Sequence, residues 1–281
     1  MNRTGGPSPL RRLAFAGTWY AGDPDRLADD VDAALDAAVV SSSRARAVVS
    51  PHAGLIYSGH VAAHSYRALG PSPREAVVLV GPSHYEAFRG CAMLRQGALE
   101  TPWGTLPIAE SLADALAAKT GLVSRAFEQI HAREHSLELQ LPFLARVLPD
   151  TPVIPILMGD QSRGVAFGLG DALAEAFGGR DVALVASSDL SHYQDAVTAH
   201  TMDRVVLDSL DAFDAERLMA ALEREPHHAC GGGPMVAVLR AARRMGATTG
   251  GVLKYADSGD VSGDKSSVVG YVSAAFGEPG A

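Results

Sequence analysis

Ala76-Val77-Val78-Leu79-Val80-Gly81-Pro82-Ser83-His84 decides the fold: an unbroken apolar run rich in β-branched residues stops at Gly-Pro, and a histidine follows at once. A run this short, apolar at every position and closed by turn residues reads as a strand buried on both faces, the pattern of a sheet covered by helices on each side. Ala45–Ser50, Val153–Leu157 and Val182–Ala186 repeat it, and Val252–Tyr255 and Val268–Phe276 read as a final pair of strands. Between them, Asp25–Val39, Glu110–Thr120, Glu134–Leu148, Val165–Phe177, Ala196–Leu210, Ala215–Arg224 and Pro234–Met245 place apolar residues at three-to-four spacing, the helical period. The alternation predicts a single α/β domain over residues 11–277 with a mostly parallel or mixed central sheet and helices on both faces. Residues 1–10 and 278–281 read as loose, flexible tails.

Chemistry-bearing residues gather where the strands stop. Ser50-Pro51-His52, Gly81-Pro82-Ser83-His84 and Ser187-Ser188-Asp189-Leu190-Ser191-His192 each follow an apolar run directly. In open α/β sheets the crevice beyond the strands' C-terminal ends is where sites are built. His52 and His84 are therefore expected to point out of the sheet edge into one crevice, the bland alternative being core histidines that cap a carbonyl. Asp189 and His192, three apart in a turn, suit an acid and base that face the same cavity. Cys230 opens Cys230-Gly231-Gly232-Gly233-Pro234 ahead of a helix, where a helix N-terminus favours thiolate and glycines leave room for a ligand. Cys91, in the apolar run Cys91-Ala92-Met93-Leu94, reads as core.

Two other histidine patterns carry weaker readings. His60 and His64, four apart on a helix, have a chelating spacing that an Ala-rich helix also produces by chance. His131-Ala132-Arg133-Glu134-His135 matches the H-x-x-E-H pattern of inverted zinc proteases, in which two helical histidines hold zinc and the glutamate activates water, although no third acidic ligand is evident farther on. In Glu134–Leu144, Leu137, Leu141 and Leu144 mark a core face, while His135 and Glu138, three apart, share another face that is expected to look into the crevice and orient a ligand. His227 and His228 are loop residues or neighbours of Cys230.

Composition narrows the partners. A net charge of −8 spread without a basic block gives nucleic acid or an anionic membrane no electrostatic purchase. The first residues lack the apolar core of a signal peptide and no run reaches the ~18–20 apolar residues of a membrane span, so a cytoplasmic protein is expected. The two cysteines, Cys91 and Cys230, are thiols in that setting.

The ordered set of motifs resembles the Memo family, called AmmeMemoRadiSam system protein B in bacteria and archaea. It comprises Ala16-Gly17-Thr18-Trp19-Tyr20, Ser50-Pro51-His52-Ala53-Gly54, Gly81-Pro82-Ser83-His84, Thr101-Pro102-Trp103-Gly104, Glu134–Leu144, Ser187–His192, Cys230-Gly231, Ser258–Asp264 and Val269-Gly270-Tyr271. The resemblance implies a fold similar to LigB-type class III extradiol dioxygenases, which are non-haem iron enzymes. It implies that His52, His84 and Cys230 form a metal-binding triplet, with Asp189 and His192 lining the same pocket. Those dioxygenases complete their iron site with a carboxylate, whereas here the third donor is a thiolate, which shifts preference toward copper or zinc. The expectation is thus a mononuclear site, iron(II) first and copper or zinc as alternatives, for redox or dioxygenase-like chemistry on a small molecule, with His192, Asp189, His135 and Glu138 in acid, base or orienting roles. Two alternatives stand beside it. One is a peptide- or partner-binding module working with AMMECR-type and radical SAM proteins. The other is a cysteine hydrolase with Cys230 as nucleophile, His192 as base and Asp189 as orienting acid.

Overall fold

The computed structural model describes residues 9–41, 44–125 and 128–278. Residues 1–8 and 279–281 of the expected tails lie outside the described residues, and Leu10, also assigned to a tail, pairs with Ala98. The chain runs β1 (Leu10–Arg11), α1 (Pro24–Ala37), β2 (Ala47–Ser50), α2 (Leu55–Leu69), β3 (Ala76–Pro82), β4 (Cys91–Met93), β5 (Ala98–Thr101), β6 (Gly104–Pro107) and α3 (Glu110–Ala117). It continues through β7 (Val123–Arg125), α4 (Glu128–Ala132), α5 (His135–Glu138), α6 (Leu141–Val147), β8 (Val153–Met158), α7 (Arg163–Phe177) and β9 (Val182–Ser187). It closes with β10 (His192–Gln194), α8 (Ala196–Asp211), α9 (Ala215–Arg224), α10 (Gly232–Arg244), β11 (Thr249–Asp257), α11 (Gly259–Ser262) and β12 (Val268–Gly277). Asp23, Asp195 and Asp214 start α1, α8 and α9, each accepting hydrogen bonds from first-turn amides that lack a helical partner.

The main sheet is mixed. Four strands, β2, β9, β3 and β8, lie side by side and parallel, with antiparallel β12 beyond β2 and antiparallel β4 beyond β8. β10 and β11 extend the β12 side, β7 the β4 side, and β1, β5 and β6 form a separate small sheet. Side chains alternate across each parallel strand, and both faces are filled. Val49, Val78, Val80, Leu184, Ile154 and Ile156 pack toward α3, α7, α8, α9 and α10. Val48, Val77, Leu79, Val185 and Leu157 pack toward α1, α2 and α6. The apolar runs are continuous because each face of a parallel strand meets a helix layer. Cys91 is buried in β4, as its surroundings predict.

The helix expected over Glu134–Leu148 is two short helices, α5 and α6, with a break at Leu139–Gln140. Pro142 causes it, since it has no N–H to give and its ring blocks the carbonyl four residues earlier. The break turns Gln140 inward, where its amide donates to Pro51 O (2.9 Å) and Ser187 Oγ (2.9 Å) and accepts from Tyr66 Oη (2.8 Å). One buried amide thereby ties the ends of β2 and β9 to α2.

Candidate metal centre

Because β2, β9 and β3 are parallel neighbours in that order, the residues after Ser50, Ser187 and Pro82 emerge along one edge a few ångströms apart. His52 and His84 leave from β2 and β3, and Asp189 from β9 between them. α5 delivers His135 to the same place. A Cβ on Gly81 would lie 2.6 Å from Ser136 Oγ, so only glycine lets α5 approach closely enough for that hydroxyl to bond Pro82 O at 2.9 Å.

The hydrogen bonds fix which nitrogen each ring offers. Ser187 Oγ gives its single proton to Ser136 O, so toward His52 Nδ1, 2.8 Å away, it can only accept. His52 Nδ1 therefore carries the proton and Nε2 the lone pair. His84 Nδ1 lies 2.9 Å from Glu134 Oε1, whose other oxygen accepts from His84 N at 2.6 Å, so His84 is polarised in the same sense. His192 Nδ1 donates to Leu190 O at 2.8 Å, again freeing Nε2. Holding one imidazole nitrogen on a fixed acceptor so that the other faces a cation is how metal-binding histidines are oriented. His52, His84 and His135 offer ring nitrogens that all lie within 4.8 Å of one another. The His84 and His135 rings stack at 4.3 Å, and each meets His52 edge-on, at 5.2 and 5.3 Å.

Electrostatics keep the His52 and His135 rings neutral and available. Burial, reinforced by the proximity of His84, holds His52 well below the ordinary histidine range. Burial and then His52 and His84 bring His135 down to about 3. Burial opposes ionisation of Glu134, but side-chain and backbone hydrogen bonds from His84 and one from Ser136 N hold it at about 2, a fixed anion behind the cluster. Burial raises Asp189 to about 6 even though its carboxylate accepts His52 N at 2.7 Å.

Cys230 reaches the cluster from the His52 side, with Sγ 3.2 Å from His52 Nε2 and 3.3 Å from Asp189 N. Nitrogen and sulfur donors on one ion, at ~2.0–2.1 and ~2.3 Å, lie roughly 3.0–3.6 Å apart, so the His52–Cys230 separation fits a shared cation. Two expectations about this cysteine are corrected. Burial, then the nearby Asp189, raise its thiol rather than lower it, because desolvation outweighs the start of α10. The glycines after it serve packing rather than a ligand: a Cβ on Gly231 would lie 2.3 Å from Ser187 O, and one on Gly233 2.6 Å from Met158 Sδ. The imidazole that Cys230 meets is His52, not His192, so the expected nucleophile–base contact is replaced by a donor pair.

The remaining residues divide. Asp189 and His192 line the same cavity as His52, His84, His135 and Cys230, a space of about 600 Å³. Glu138 does not face it. It is fully buried against the segment 11–20, accepting from Ala14 N, Phe15 N (2.8 Å), Tyr20 Oη (2.8 Å) and the Arg11 guanidinium. That segment covers the face of α5 expected to be open, so the pairing of His135 with Glu138 is corrected. His131 is likewise turned away, its Nε2 donating to Ala92 O at 3.2 Å, and the inverted-zinc-protease arrangement does not form. His64 Nδ1 bonds its own helix at His60 O, and among the described residues that pair joins no group of three close metal-type ligands. His227 pairs with Glu225 at 2.7 Å on the cavity rim.

Sequence reasoning missed Glu134 as the partner of His84, Ser187 and Gln140 as the supports of His52, and Trp19, whose ring packs on His135 at 4.5 Å. All four lie in the quoted motifs, which was the one signal the sequence carried for them.

Fold and site together define a single-domain α/β protein with a histidine-lined cavity at the C-terminal edge of a mixed sheet. A family model described as Memo-like protein matches residues 11–275, and the chain belongs to the Memo family. It is 37% identical over 273 residues to a MEMO1 family protein of Methanothermobacter thermautotrophicus, covering 93% of this chain and 98% of that one. It is 33% identical over 269 residues to a MEMO1 family protein of Nitrosopumilus maritimus, with 93% and 98% covered. The fold is similar to the crystal structure of an uncharacterized protein from Escherichia coli K12, at a TM-score of 0.55 and 18% identity over 83% of this chain and 100% of that chain. Among the described residues, no helix is long and apolar enough to cross a membrane.

Proposed function

We propose that the cavity binds one metal ion, iron(II) first, held by His52, His84 and Cys230 with His135 as a further nitrogen within reach, and that the protein carries out redox or dioxygenase-like chemistry on a small molecule. The observation that carries this reading is the pair of oriented imidazoles: Ser187 and Glu134 each fix an Nδ1 proton, which leaves lone pairs directed into a cavity where Cys230 Sγ stands 3.2 Å from one of them. Iron(II) on a few protein donors with open positions supplies dioxygen and electron-transfer chemistry when bound, while a thiolate donor also suits copper or zinc. The chain's own residues divide the remaining work. His52 and His84 bind, and Asp189 fixes the His52 backbone. His192, its Nδ1 proton held by Leu190 O, presents Nε2 as a proton acceptor to whatever lies in the cavity. Trp19 packs on His135 and shields that side from water.

Metal analysis of anaerobically purified protein, together with oxygen consumption, tests the reading. About one iron per chain, lost in H52A, H84A and C230A but retained in H192A, supports it. In H192A any turnover should fall by about 10²–10⁴-fold. Metal-free wild-type protein that binds no added iron, copper or zinc overturns it. The peptide- or partner-binding reading, with AMMECR-type or radical SAM proteins as partners, would then take its place.

A further inference from the structure

Asp203, on α8, belongs to none of the motifs above and is fully buried. Its Oδ1 accepts Ser191 N at 2.9 Å and its Oδ2 accepts Tyr255 Oη at 2.8 Å. Burial raises this carboxyl, yet both of its oxygens accept, the pattern of the ionised form. Gly270, on β12, makes room for it. A Cβ there would lie 1.9 Å from Asp203 Oδ2, so the carboxylate and any larger residue cannot share the space. The glycine of Val269-Gly270-Tyr271 thereby has a physical reason.

The amide that Asp203 holds is part of the support of His192. Ser191 N belongs to the same peptide unit as Leu190 O, the acceptor of His192 Nδ1 at 2.8 Å. That unit is planar and trans, so its N–H and C=O point opposite ways, and fixing one fixes the other. A carboxylate on the N–H also polarises the C=O, since hydrogen bonds in series strengthen one another where the dielectric is low. Gly270 ties the flanks of the unit, its O accepting Leu190 N at 2.8 Å and its N donating to Ser191 O at 3.0 Å. Neither of those bonds touches the Leu190–Ser191 peptide itself.

We propose that Asp203 is a positioning residue for His192: through the Leu190–Ser191 peptide it locks the imidazole in the Nδ1–H form and keeps the Nε2 lone pair aimed into the cavity. The inference rests on the reading of His192 as a proton acceptor there, and deepens it by naming the residue that holds the ring ready.

The test uses the full chain, metal-free, with ring-¹⁵N-labelled histidine at about pH 8.5, above the ordinary histidine range. The His192 signals are those lost in H192A. Wild-type protein should show His192 as one tautomer, Nδ1–H, and D203A as a mixture of two, because the carbonyl loses its fixed direction. D203N, whose amide oxygen can still accept Ser191 N, should restore the wild-type pattern. G270A, whose added methyl displaces the carboxylate, should behave as D203A. After metal loading, D203A should keep the wild-type metal content while any turnover falls, by no more than the about 10²–10⁴-fold loss expected of H192A. The proposal is overturned if wild type itself is a mixture, or if folded D203A or G270A keeps the single Nδ1–H form and only melts lower. It is overturned too if both variants fail to fold, which would make Asp203 a staple between α8 and β11. The tautomer is read without metal, so failure of the metal reading is distinguishable from failure of this one.

Discussion

Two halves of one short stretch, alike in residue type and burial, face opposite ways: His135 turns into the cavity with Glu134 behind it against His84, while His131 and Glu138 turn away. All four are buried. What separates them is the origin of their partners. Glu134 takes its hydrogen bonds from His84, which lines the cavity, and from Ser136 on α5, whereas Glu138 takes its own from Arg11, Ala14, Phe15 and Tyr20. A buried carboxylate is thus a clamp or a support for a ligand according to who donates to it, and neither its burial nor its place in a motif decides between them.

The largest effect should come from Glu138. Its removal leaves the Arg11 guanidinium, 6% exposed, without its anion, along with orphaned amides, so E138A should cost ~3–5 kcal/mol of stability in denaturant titration. Metal bound per folded molecule should hardly change. A loss of metal without a loss of stability would reverse the division drawn here.

His131 should show next, as a pH effect. Burial lowers it from 6.5 to about 4, so the folded protein keeps the ring neutral where the unfolded chain takes up a proton. Stability from this neutral ring is complete above about pH 6.5 and is lost as pH falls toward about 4, a total of ~3 kcal/mol at the usual conversion. The stability difference between wild type and H131Q, measured on metal-free protein, should therefore shrink across that window. A difference independent of pH would mean that His131 is not held neutral by the fold.

Glu134 should give the smallest effect in energy and the most selective one. E134Q should weaken metal binding by about 10–100-fold through loss of the charge behind His84, with a smaller change in folding stability. Equal profiles for E134Q and E138A, in stability and in metal affinity, would break the comparison.

How much of this was legible in the sequence follows from the range of the contacts. Strands at Ala76–Pro82 and Val182–Ser187 were readable because a parallel strand buried on both faces writes its environment into adjacent residues. His52, His84 and Asp189 were readable for the same reason, as the first titratable side chains beyond such strands. The helix break at Leu139–Gln140 had a local cause in Pro142 that three-to-four periodicity passed over. The small sheet of β1, β5 and β6 was not legible, since Leu10 pairs with Ala98 and neither short strand carries an apolar run. The direction of Glu138 was not legible either, because its partners lie well over a hundred residues earlier and spacing on α5 alone cannot tell a covered face from an open one.

The central claim is that His52, His84 and Cys230 share one ion. X-ray absorption at the metal edge of anaerobically purified protein tests it most directly, on wild type and C230S side by side. The account expects one sulfur scatterer at ~2.3 Å and two or three imidazole nitrogens at ~2.0–2.2 Å, with the sulfur shell absent in C230S. A wild-type spectrum with no sulfur in the first shell, or a sulfur shell that survives C230S, would contradict it.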